Sequence, residues 1–94
     1  MAISPTLSSR VRVKDDVLFQ ELNGEGVLLN LKTGVYFGLD PIGTRFWQLL
    51  DQHTILSEIL EALLAEYDVP QERCARDLVA LAADMEKHEL IALS

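Results

Sequence analysis

The chain has 94 residues, of which 49% are hydrophobic and 24% are charged, and this composition is typical of a folded domain, not of a disordered segment. Its formal net charge is −7 and its eight Lys and Arg residues are scattered, which argues against binding to nucleic acid or to an anionic membrane. One cysteine permits no intramolecular disulfide, and the apolar stretches are shorter than the roughly 20 residues that span a bilayer, so we expect a cytoplasmic protein.

Residues 1–9 contain Pro5 and three serines without periodicity, and they lack the basic start and apolar run of a signal peptide. We predict a flexible N-terminal arm over 1–9 and a single domain over 10–94.

Three strand-like runs follow this arm, with a further short strand predicted at Val11–Val13. Asn23-Gly24 and Lys32-Thr33-Gly34 separate the runs, and both are turn signals because Asn and Gly tolerate positive φ. Two tight turns in succession predict a three-stranded antiparallel meander. The runs cover residues 17–22, 27–31 and 35–39.

The pattern then changes to helical spacing. Asp40 and Pro41 predict the N-cap and first residue of one helix, and Thr54 predicts the cap of a second. A third helix is predicted over 71–88, after which Leu90 and Ile91 fold back over the core. Strands followed by helices indicate an α+β domain with the helices packed on one face of the sheet.

Residues that support catalysis or hold a cofactor are not evident in the sequence. Cys74 lies on the apolar stripe of the third helix and is interpreted as a core thiol, and His53 and His88 as separate surface residues. Trp47 is interpreted as a core residue, a partner-binding anchor being the alternative. We therefore predict that the protein is not an enzyme and has no metal site or cofactor.

A peptide-binding surface is predicted at the third strand, which is an edge without charge or proline. Such an edge accepts an extended peptide by strand addition, unless the N-terminal arm or a helix covers it, and it also permits a homodimer. The third helix is predicted to supply the second wall of a groove. The predicted peptide-binding residues are Val35, Tyr36, Phe37, Gly38 and Leu39 on the strand, and Arg76, Asp77, Val79, Ala80, Ala83, Asp84 and Lys87 on the helix.

The segments 26–40, 42–50 and 66–69, together with Asp77-Leu78, resemble the PqqD-like proteins, and the resemblance extends over roughly residues 10–93. The most distinctive piece is Leu-Leu-Asn-Leu-Lys-Thr-Gly-Val-Tyr-Phe-Gly-Leu over 28–39, which looks closest to the stand-alone leader-binding proteins of lasso-peptide biosynthesis. The sequence departs from the family pattern at Ile55, where a threonine often caps the second helix.

The resemblance implies a winged-helix-like fold and a non-catalytic recognition element that binds the leader of a ribosomal precursor peptide as an added strand. The implied partners are a leader peptidase and an ATP-dependent cyclase, or a radical enzyme if the pathway makes pyrroloquinoline quinone. A winged-helix DNA-binding regulator is the alternative function, which the acidic balance opposes.

Overall fold

The computed structural model describes residues 5–94. Within this range the chain forms strands and helices in the following order: β1 (Val11–Val13), β2 (Val17–Leu22), β3 (Glu25–Asn30), β4 (Tyr36–Gly38), α1 (Pro41–Leu49), α2 (Leu56–Glu66), α3 (Gln71–Lys87) and β5 (Ile91–Leu93).

Strands β2, β3 and β4 form the predicted antiparallel meander, with β3 in the centre. Asn23 (φ 56°) and Gly24 (φ 82°) form the two-residue turn that pairs Leu22 with Glu25. Positive φ at both central residues suits the right-handed twist of a hairpin, which is why Asn-Gly predicts it. The sequence was therefore sufficient to predict this sheet.

Strands β1 and β5 form a second, two-stranded antiparallel sheet in which Val11 pairs with Leu93 and Val13 with Ile91. The sequence predicted the Val11–Val13 strand but not its partner, so the predicted fold of one meander and three helices lacked this sheet. The expectation for the C-terminal segment is confirmed, because Leu90 and Ile91 are both buried.

The start of α1 follows the sequence prediction, with an Asp40 side-chain oxygen accepting the backbone N–H of Gly43 at 2.7 Å and Pro41 in the first turn. The predicted Thr54 cap of α2 is wrong. The N-cap is Ile55, which has an extended backbone and no side-chain bond to the helix.

The N-terminal segment caps α2 in place of Thr54. The carbonyl oxygens of Ser9 and Leu7 accept the backbone N–H groups of Leu56 (3.1 Å) and Ser57 (2.9 Å). These N–H groups have no acceptor within their own helix, so the neighbouring segment satisfies them. Leu7 and Ser9 are thus anchored to the domain although the sequence assigned them to the flexible arm, while residues 1–4 of that arm lie outside the described residues.

The core lies between the helices and the inner face of the meander. Phe46 of α1 and Leu28 of the central strand are both fully buried in one core cluster, and Trp47 stacks on Phe19 with 6.5 Å between ring centroids. The interpretation of Trp47 as a core residue is therefore confirmed. The largest fully buried side chains are Phe46, Leu28, Leu56, Ile59, Leu63, Met85, Leu90 and Ile91.

Candidate functional site

Strand β4 is an edge of the meander, since β3 is its only strand partner in the part of the chain that the structure describes. Two hydrogen bonds fix its register: Asn30 N–H donates to the Val35 carbonyl (3.0 Å) and Leu39 N–H donates to the Gly26 carbonyl (2.8 Å). Hydrogen-bonded pairs alternate along an antiparallel ladder, so the residues bonded toward β3 are 35, 37 and 39. The backbone N–H and C=O groups of Tyr36 and Gly38 consequently point away from β3, into the open edge.

Side chains on β4 alternate between the two faces of the sheet. Phe37 and Leu39 lie on the inner face, where they pack on the core, and Tyr36 lies on the outer face with 70% of its surface exposed. A Cβ atom added at Gly38 would meet nothing within 4 Å. Both outward-pointing residues are therefore accessible to an incoming chain.

A groove of about 840 Å³ runs beside this edge, between β4, the start of α1 and one face of α3. It provides space for side chains of a strand that pairs with β4. Its apolar lining residues are Phe37, Gly38, Leu39, Ile42, Gly43, Phe46, Leu63, Val69, Pro70, Cys74, Leu78, Ala80 and Leu81, and its charged ones are Asp40, Arg73, Asp77 and Asp84.

The structure places six of the twelve predicted peptide-binding residues in the groove lining: Phe37, Gly38, Leu39, Asp77, Ala80 and Asp84. Val35 and Tyr36 belong to the edge segment but do not line the groove. Arg76, Val79, Ala83 and Lys87 are also absent from the lining. Successive residues of a helix are about 100° apart around its axis. A predicted face that is shifted by one residue from the true face therefore includes several residues that point elsewhere.

The face of α3 that lines the groove contains Arg73, Asp77, Ala80, Leu81 and Asp84, at helical spacings of four, three, one and three. Arg73, Leu81 and Cys74 were missed as site residues, as were Ile42, Val69 and Pro70.

The far end of the groove is held by contacts between the sheet and the C-terminus of α3. The ring of His88 meets Phe37 edge-on, with 5.3 Å between centroids. The buried side-chain amide of Asn30 donates to the carbonyls of His88 (3.3 Å) and Glu89 (3.0 Å), and its oxygen accepts the N–H of Lys32 (2.9 Å). These bonds join the end of the central strand β3 to the chain just after α3.

Cys74 lies in the first turn of α3, a few residues after Val69 and Pro70, where it lines the groove and is only 8% exposed. Burial raises the pKa of its thiol, and the nearby Asp77 carboxylate raises it further. A thiol with a raised pKa is a poor nucleophile at neutral pH, which agrees with the interpretation of Cys74 as a packing residue.

Groups of three or more His, Cys, Asp or Glu that could hold a metal ion do not occur among residues 5–94. His53 lies 3.6 Å from Glu58 at the surface, and His88 contacts Phe37, so the two histidines have separate surroundings. Over the same residues, the three helices include none that is long and apolar enough to cross a membrane.

An open strand edge beside an apolar groove is the arrangement by which small domains accept an extended peptide as an additional strand. The model of the coenzyme PQQ synthesis protein D (PqqD) family matches residues 25–91, and the chain belongs to this family. No curated protein sequence matches it.

Two solved structures resemble the chain. TbiB1, in complex with the TbiA(beta) leader peptide, is 39% identical, with a TM-score of 0.79 over 85% of this chain and 93% of TbiB1. A lasso peptide synthetase B1, complexed with the leader peptide, is 24% identical, with a TM-score of 0.76 over 88% of this chain and 98% of that protein. The second likeness concerns the fold alone.

Proposed function

We propose that this protein is a non-catalytic recognition element that binds the leader segment of a ribosomal precursor peptide as a strand added to β4. The observation that carries the proposal is the pair of outward-pointing backbone positions, Tyr36 and Gly38, beside the groove. TbiB1, a relative at 39% identity, has been solved with a leader peptide, and this supports a peptide as the occupant.

The geometry specifies how such a strand is held. Its residues opposite Tyr36 and Gly38 exchange backbone hydrogen bonds with β4, which gives affinity with little dependence on sequence. The residue between them, opposite Phe37, directs its side chain into the groove, where α3 and the start of α1 supply selectivity. DNA binding has no comparable support, because the net charge is −7 and the groove carries three aspartates and one arginine.

We further propose that the bound leader is delivered to a leader peptidase and an ATP-dependent cyclase of a lasso-peptide pathway. The outer face of the meander supports a protein partner, since it faces away from the helices and carries a row of apolar side chains. Leu18, Leu29 and Tyr36 stand side by side across the three strands of this face, next to Val27. A leader strand on β4 leaves this face open, so peptide and enzyme can bind together.

The experiment is a titration of labelled TbiA(beta) leader peptide, followed by fluorescence anisotropy, against the wild-type protein, Gly38→Ala and Gly38→Pro. Alanine keeps the outward N–H and has open space for its Cβ, so binding should persist. Proline removes that N–H, and we expect binding to weaken about tenfold. Equal affinities for the two variants, with folding verified by circular dichroism, would contradict strand addition.

A further inference from the structure

The wall that α3 presents to the groove has an apolar centre and charged ends. Ala80 and Leu81 form the centre, Arg73 and Asp77 lie in the part of α3 that follows Val69-Pro70, and Asp84 lies at the end where Phe37 meets His88. From Arg73 to Asp84 the helix rises about 16 Å, the length of about five residues of extended chain. A bound strand therefore meets all three parts of the wall.

The three aspartates that line the groove differ in how far their charge is offset. Asp40 accepts the Gly43 N–H that caps α1 (2.7 Å), and Asp77 lies 3.9 Å from Arg73. Asp84 takes part in no ion pair within residues 5–94, and Lys87, one turn further on, is not within ion-pairing distance of it. The His88 ring is nearby, but its Nδ1 lies 2.8 Å from the backbone carbonyl oxygen of Asp84, which is not part of the carboxylate. Asp84 thus brings the least compensated charge to the groove.

We infer, on the basis of the function proposed above, that Asp84 selects leader segments with a Lys or Arg two residues from a bulky apolar residue. Leu81 and Asp84 are about 4.5 Å apart along the helix axis, and side chains on one face of a strand are about 6.6 Å apart. An apolar side chain against Ala80 and Leu81 therefore places the next groove-facing side chain beside Asp84.

Charge complementarity also favours this ligand. The groove has three carboxylates against one guanidinium, and the whole chain carries −7, so an acidic side chain at this position would meet repulsion. A Lys or Arg has an aliphatic stem long enough to lie along Phe37 while its charged end reaches the carboxylate at the rim. The recognised class is thus a basic-apolar extended peptide.

The test is a selection from a displayed library of random ten-residue peptides on four immobilised proteins: wild type, Asp84→Asn, Asp84→Lys and Glu72→Gln. Glu72 lies on the same helix and is exposed but outside the groove lining, so Glu72→Gln matches the charge change of Asp84→Asn. Wild type and Glu72→Gln should enrich Lys or Arg two positions from an apolar residue. Asp84→Asn should keep the apolar preference without the basic one, and Asp84→Lys should enrich Asp or Glu there.

The peptide enriched most strongly on the wild type is then synthesised and titrated against all four proteins. Asp84→Asn should bind it about two- to fivefold more weakly at ~50 mM salt, with a smaller difference at ~500 mM, because partly exposed ion pairs are modest and screened. Apolar enrichment on the wild type without a basic preference would overturn the role of Asp84 and leave strand addition intact. If none of the four proteins enriches any peptide from the library, the proposed function itself is overturned.

Discussion

The side-chain amide of Asn30, in the central strand, donates a hydrogen bond to the carbonyl oxygen of Glu89 at 3.0 Å, across 59 residues of sequence. Asn30 is buried, and the same amide group also reaches the His88 carbonyl. Glu89 has a positive φ of 59°, which turns the chain out of α3 toward β5. This residue pair joins the end of the central strand β3 to the residue that follows the C-cap of α3, so its removal should lower the stability of the fold.

Asn30→Ala should destabilise the fold by about 2–4 kcal/mol, because it leaves several backbone groups at a buried site without partners. Urea unfolding measures the change as a lower midpoint. Gln20→Ala is the control, because the Gln20 side chain is exposed on β2 and makes no hydrogen bond within residues 5–94, and it should change stability by less than about 0.5 kcal/mol. An unchanged midpoint for Asn30→Ala would contradict a stabilising role for these hydrogen bonds.

Cys74 should react slowly with a thiol reagent at neutral pH, because burial and Asp77 raise the pKa of its thiol and only the thiolate reacts. The reaction rate of Cys74 should increase at a higher pH than the rate of an exposed cysteine in a short peptide does. Asp77→Asn removes the second cause and should shift the rate profile toward lower pH. Bound peptide should slow the reaction further, since Cys74 lines the groove. A profile that coincides with that of a free cysteine peptide would contradict this prediction.

Arg45 of α1 and Glu66 at the end of α2 form a bidentate pair at 2.8 and 2.9 Å, and the hydrogen bond from Arg45 lowers the pKa of Glu66 below its ordinary 4.5. A carboxylate with a lowered folded-state pKa stabilises the fold above its unfolded-state pKa, and this contribution is lost as the pH falls through the folded-state pKa. Wild type should therefore be more stable than Glu66→Gln near neutral pH. The difference in stability should be small because the ion pair is exposed, and it should vanish in acid.

Urea midpoints at several pH values for wild type, Glu66→Gln and Glu61→Gln measure this difference. Glu61 is an exposed residue of the same helix with no ion pair in the described range, so its substitution controls for net charge. A margin for Glu66→Gln that stays constant into acid would exclude the linkage to the Glu66 carboxylate.

Local chemistry determines the parts of the fold that the sequence predicted correctly. Asn23-Gly24 specifies a hairpin by its positive φ values, and Asp40-Pro41 specifies a helix start by one hydrogen bond and one fixed dihedral angle. The pairing of β1 with β5 depends on residues about 80 positions apart, and no short pattern encodes it. The prediction of the α2 cap is wrong for the same reason, because the groups that accept its first N–H bonds are carbonyls of a distant segment.

The candidate site shows the same division. The strand wall could be predicted from one uncharged run of residues, 35–39. To predict the helix wall, one must know how α3 is rotated about its axis. That rotation is set by packing of Leu78, Ala82 and Met85 into the core, and the alanine-rich stripe leaves it ambiguous in the sequence. Hence Asp77, Ala80 and Asp84 were assigned to the groove while Arg73 and Leu81 were missed.

The short length of β4 has a consequence for how long a peptide remains bound. Tyr36 and Gly38 together present only two N–H and two C=O groups to an added strand. Each such bond contributes about 1 kcal/mol net, and the ordering of a flexible segment offsets much of this gain. We therefore expect a peptide held in this way to dissociate readily once its groove-facing side chains are released, so that one copy of the protein serves many substrate molecules in succession.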